Sequence, residues 1–195
     1  MKNYCIQTLL GLISLLFISC GSETTIHTSD FRIFIGSENS EVRETIEELV
    51  NQYNHDLGEN ILVVVSEKSE ANSEILFQRG LLDSTNQLGH GSWSTRSEYR
   101  GSSYRKNQYI SYSMHLNFDL SNFVKRMKGR HEKESSDWKH LYLLFCHEIG
   151  HGFQMKHIED EGSVMFPVIS NDVHEGLNYD LYFENARQFL KSLRT

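Results

Sequence analysis

The chain has 195 residues and a formal net charge of -7, with 38% hydrophobic and 23% charged residues. That mixture suits a folded chain of one domain, two at most, and is not that of a disordered chain. Acidic and basic residues are interspersed with no basic stripe, which excludes the electrostatic footprint of a nucleic-acid binder.

Lys2 and the apolar stretch 9–18 read as a signal peptide, too short to cross a bilayer comfortably. The stretch runs into Phe17-Ile18-Ser19-Cys20-Gly21-Ser22, which resembles the lipobox of bacterial lipoproteins. The resemblance implies removal of residues 1–19 and lipidation of Cys20. It makes 20–29 a polar tether and 30–195 a domain held at the membrane of a bacterial cell envelope. Gly21 and Ser22 carry no acidic retention signal, so the outer membrane is expected. The cysteines are Cys5, Cys20 and Cys146, which leaves Cys146 without a disulfide partner and expected inside the fold.

Residues 31–35 read as a first strand. Val42, Ile46, Leu49, Val50 and Tyr53 share one face of a helix over 41–57, opened near Ser40 and stopped by Gly58. The continuous run 61–65 reads as a buried strand. A short helix is expected over 74–82, a strand over 88–93, a long polar loop over 96–107 and a strand over 109–118. A charged loop over 125–136 precedes a helix over 138–153, and an amphipathic helix over 178–193 closes the chain. This order predicts an α+β domain.

His147 and His151 lie four apart on the predicted helix, so both imidazoles project from one face. Glu148 is beside the first, placed to hold a water without being a ligand, as metal-assisted hydrolysis requires. Zinc accepts such ligands and keeps a fourth position open. A shuffled chain of this composition contains His-Glu-x-x-His about 0.05 times, and the version with a histidine six residues further on about 0.002 times. His157 supplies that histidine. Glu159, Asp160 and Glu161 are alternative third ligands. The remaining histidines read as ordinary surface or core residues.

The run His147-Glu148-Ile149-Gly150-His151-Gly152-Phe153-Gln154-Met155-Lys156-His157 resembles the extended zinc motif of the metzincin metallopeptidases, HExxHxxGxxH. Met165 follows in Gly162-Ser163-Val164-Met165-Phe166-Pro167, which resembles the metzincin Met-turn; its spacing and Pro167, the only proline, look most like the matrixin branch. The resemblance implies a zincin-like fold: a twisted mixed sheet, an active-site helix, the Met-turn and a C-terminal helix. It implies one catalytic Zn2+ on His147, His151 and His157, with Glu148 activating a zinc-held water. The activity implied is that of a zinc metalloendopeptidase, a monomer acting on protein or peptide substrates. The strand over 88–93 would take substrate as an added strand, and Phe166, Pro167 and Val168 would line the pocket for the residue after the cut. No propeptide cysteine latch is expected. Gln154 stands where the family has glycine; a positive φ there would cost about 1 kcal/mol. The alternative readings are a non-catalytic zinc-containing binding lipoprotein and a zinc hydrolase of a non-protein amide.

Overall fold

A computed structural model describes residues 23–27, 30–80, 87–101, 107–129, 132, 134–169 and 176–194. The signal peptide and Cys20 lie outside the described residues, as do 81–82 of the expected short helix and 102–106 of the expected loop. Within them the chain forms an α+β fold in the order β1 (Glu23–His27), β2 (Phe31–Gly36), α1 (Ser40–Leu57), β3 (Leu62–Val65), β4 (Ser73–Gln78), β5 (Gly89–Arg100), β6 (Asn107–Asp119), α2 (Leu120–Arg126), α3 (Ser136–Gly152) and α4 (Tyr179–Leu193). Short 3-10 turns occur at Lys68–Glu70 and Met127–Gly129. No described helix is long and apolar enough to cross a membrane.

All six strands form one mixed sheet, with β6 as its spine. One edge of β6 pairs in parallel with β1 over 107–111 and with β4 over 115–119. Its other edge pairs antiparallel with β5 from Gly89↔Phe118 to Arg100↔Asn107. Strand β4 continues to β2, and β2 to β3, both parallel. No strand among the described residues covers the outer edge of β5.

The helices bury their apolar faces on one side of this sheet. Ile33, Ile35, Ile75, Met114, Leu116 and Phe118 meet Val42, Ile46, Leu49 and Tyr53 of α1 and Trp138, Leu141, Phe145 and Ile149 of α3 in one core. Helix α3 is buried on nearly every side, as expected of a central helix that is apolar all round. Cys146 is inside it, free and fully buried. The buried Asn54 joins α1 to β3: its Nδ2 donates to Leu62 O at 2.8 Å, and its Oδ1 accepts from the N–H of Leu62 at 3.1 Å.

Several local expectations are corrected. The segment 74–82 was expected to be helical, but Ser73–Gln78 is strand β4, held between β2 and β6. Its burial alternates at Ser73, Glu74, Ile75 and Leu76, a period of two set by the sheet. Much of the expected loop 96–107 is ladder, because β5 runs on to Arg100 and β6 starts at Asn107. Strand β3 is an edge strand with Val63 exposed, so its β-branched run does not mark burial on both faces. The start of the expected charged loop is the last turn of α2, a helix whose N-terminus is capped by Asp119 Oδ1 accepting from Asn122 N at 2.9 Å. Asn39, not Ser40, caps α1. Residues 23–27, expected within a tether, form β1.

Gly58 closes α1 at φ 81°. At the end of α3 the helix stops at Gly152, and Gln154 has φ 63°, the only described non-glycine residue at positive φ. Met155 N donates to Gly150 O at 2.8 Å and Gln154 N to His151 O at 3.0 Å. This is a Schellman termination with glutamine in the left-handed position. Gln154→Gly is therefore expected to stabilise the protein by about 1 kcal/mol, a rise in Tm of roughly 2–4 °C. A thermal melt with an unchanged or lowered Tm would contradict a left-handed residue 154.

Candidate metal centre

Helix α3, which packs against β5, supplies His147 and His151, one turn apart, and Glu148 beside the first. The Schellman turn then reverses the chain and returns His157 to the same point. The three Nε2 atoms form a near-equilateral triangle: 3.2 Å from His147 to His151, 3.1 Å from His151 to His157, and 3.3 Å from His157 to His147. Burial is graded, with His147 buried, His151 half-buried and His157 exposed.

The main chain fixes the tautomers. His147 Nδ1 lies 2.9 Å from Val164 O and His151 Nδ1 lies 3.0 Å from Met155 O. A carbonyl only accepts, so each Nδ1 carries the proton and each Nε2 presents a lone pair. The lone pairs of His147 and His151, 3.2 Å apart, repel unless a cation or a donated proton sits between them. The triad can hold a metal ion. The electrostatics agree: burial lowers the pKa of His147 to about 4, with the neighbouring imidazoles pushing the same way and the Val164 carbonyl opposing. Burial also lowers that of His151. Both are held neutral, the form in which imidazole is a ligand.

Met165 lies beneath the site. Its N–H donates to Ser163 Oγ at 3.1 Å, and its carbonyl accepts from Ile158 N at 3.0 Å. A Cβ on Gly150 would stand 2.4 Å from Met165 Sδ, so the sulfur packs directly on α3. This packing seats the 163–165 turn so that the Val164 carbonyl reaches His147.

Glu148 is 4% exposed. Its carboxylate accepts a backbone hydrogen bond from Gly91 of β5, while Oε2 is buried with no partner. Burial raises its pKa to about 8 against that hydrogen bond. Both Glu148 and the triad line a cleft of about 710 Å3 between β5 and the segment after the Met165 turn. Of the residues expected in the substrate pocket, Pro167 and Val168 line this cleft. Phe166 does not: its N–H is turned back to Ser163 O at 3.0 Å, closing the turn. Glu159, Asp160 and Glu161 are not among the grouped ligand atoms; Asp160 Oδ1 instead accepts from Gly162 N at 2.9 Å.

Leu144 and Ile169 add apolar wall, and Gly89 and Gly91 form the opposite side. Sequence reading did not reach Leu144 and Ile169, and it placed Gly89 and Gly91 in the strand expected to take substrate without foreseeing their contact with Glu148. The glycines had a signal, since glycine at alternate positions of a strand marks a close backbone approach. No protein-family model matches the chain, and no curated protein is significantly similar to it.

In metal-free protein the folded state keeps a proton on Glu148 that the unfolded chain releases above its usual pKa near 4.5. The associated stability is complete below that pH and is lost as pH rises through about 8. Glu148→Gln does not titrate. Its Tm advantage over the wild type is therefore expected to widen from about pH 5 to about pH 8; a constant difference in parallel melts would refute the raised pKa.

Proposed function

We propose that the protein is a zinc-dependent endopeptidase of metzincin type, with His147, His151 and His157 as ligands and Glu148 as general base. The observation that carries this reading is the convergence of three histidine Nε2 atoms in a cleft also lined by Glu148, whose Oε2 is buried without a partner. Zinc is favoured by donor type and spacing: tetrahedral ligands at about 2.0–2.1 Å from an ion stand about 3.3 Å apart. The 3.1–3.3 Å triangle matches that edge, and three ligands leave a position for water.

Bound there, zinc supplies Lewis acidity, making water more acidic and a carbonyl more electrophilic. Glu148 does the proton work. Its free Oε2 accepts the proton of the attacking water and delivers it to the amine that leaves when the C–N bond breaks. The Val164 and Met155 carbonyls keep the imidazoles oriented throughout. The outer edge of β5, which no described strand covers, offers an extended peptide strand addition beyond Gly91, whose N–H is taken by Glu148. Leu144, Val168 and Ile169 offer an apolar wall for a substrate side chain. The signal and lipobox resemblance puts this activity at a bacterial envelope, on a lipid anchor at Cys20.

The protein from residue 21 onward is expected to contain one zinc per chain by elemental analysis and to cleave an unfolded protein such as casein. Glu148→Ala should keep the zinc and lose at least roughly 1000-fold in kcat, while His157→Ala should lose the metal. A fully active Glu148→Ala would end the general-base assignment. A zinc-loaded wild type inert toward a broad peptide library would favour the binding-protein reading.

A further inference from the structure

Strand β5 approaches Glu148 at Gly89-His90-Gly91, where a Cβ on either glycine would meet α3 and the exposed His90 between them lines the same cleft. A Cβ on Gly91 would lie 2.2 Å from the Glu148 main-chain oxygen and 3.0 Å from His151 Cβ. A Cβ on Gly89 would lie 2.6 Å from Glu148 Oε1 and 2.9 Å from Cδ. The two positions differ in kind. At 91 the obstacle is backbone, which cannot yield. At 89 it is the end of a flexible side chain, which yields only by moving the carboxylate.

We propose that Gly91 and Gly89 are positioning residues for Glu148. Gly91 brings the strand against the helix and gives its N–H to the carboxylate, and Gly89 leaves the space in which that carboxylate lies. The strand thereby holds one side of the carboxylate and leaves Oε2 without a protein partner. The catalytic consequence rests on the reading of Glu148 as the base; the clamp itself does not.

The two glycines should therefore fail differently. In zinc-loaded Gly89→Ala the side chain of Glu148 swings away, so Tm stays within about 2 °C of wild type and zinc content is unchanged. The kcat for peptide cleavage should fall roughly 100-fold at unchanged KM. Gly91→Ala should instead lose roughly 5 °C or more in Tm, because the strand itself must shift. The readout independent of activity is the Gly91 amide in a 1H–15N NMR spectrum. Its proton is displaced downfield in the wild type relative to Glu148→Ala, and in Gly89→Ala it should move most of the way to the Glu148→Ala position.

A Gly91 amide that stays at its wild-type position in Gly89→Ala overturns the clamp, and an unchanged kcat overturns its role in positioning. If Gly89→Ala does lose Tm, combining it with Glu148→Ala removes the obstacle and should restore the loss; failure to restore it also overturns the proposal. If the wild type cleaves no peptide, the peptidase reading fails, while the amide shift still decides the clamp.

Discussion

The site is held by two hydrogen bonds from imidazole to main chain: His147 Nδ1 to Val164 O, and His151 Nδ1 to Met155 O. Each ties a ligand on the rigid helix to a chain segment that follows it. Each also decides where the ring proton sits, and so which nitrogen has a lone pair for a cation. If either carbonyl moved, the corresponding Nε2 would turn out of the triangle. The chain reversal after Gly152, the turn over 163–165 and the packing of Met165 on Gly150 all serve to place those two carbonyls.

The fold contributes a rigid wall on the other side. Strand β6 is paired along both edges and carries β5 in unbroken register over twelve residues. Helix α3 crosses behind it, buried among the aromatic rings of Tyr53, Phe145, Phe153 and Tyr182. Tyr182 Oη donates to the Cys146 carbonyl, so α4 contacts the main chain immediately before His147. Strand and helix therefore cannot drift apart, and Gly89 and Gly91 set how closely they meet. The same tightness that pins Glu148 also removes water from it, which is why burial dominates its raised pKa.

What was legible in the sequence was whatever is local and periodic. His147, Glu148 and His151 sit on a helix whose pattern is plain, and the long helix α1 follows from the spacing of Val42, Ile46, Leu49 and Tyr53. Strand β4 was misread because Glu74-Ile75-Leu76-Phe77 is short and apolar, compatible with either period; its pairing with β2 and β6 decides it. The distal half of β5 was misread for the opposite reason. Ser94, Arg96 and Glu98 carry no apolar signal, and the ladder to β6 alone makes them strand. The carbonyls of Met155 and Val164 left no trace in residue identity, since any residue supplies a carbonyl.

Gln154 shows how a local penalty and a distant ligand are linked. A helix that ran on at 100° per residue would carry residue 157 away from the face shared by His147 and His151. The left-handed step at Gln154 is what returns the chain, and glutamine makes that step at some cost in backbone energy. The cost is held in place by groups that also build the site. Met155 N bonds back to Gly150 O, and the Met155 carbonyl accepts from His151. A cation shared by His151 and His157 would close the same loop from the other end. Turn and ligand set are thus one cooperative unit. Two imidazoles are preorganised on the helix, and the exposed third is positioned by a strained residue three places before it, so binding of a cation there and formation of the turn would stabilise each other.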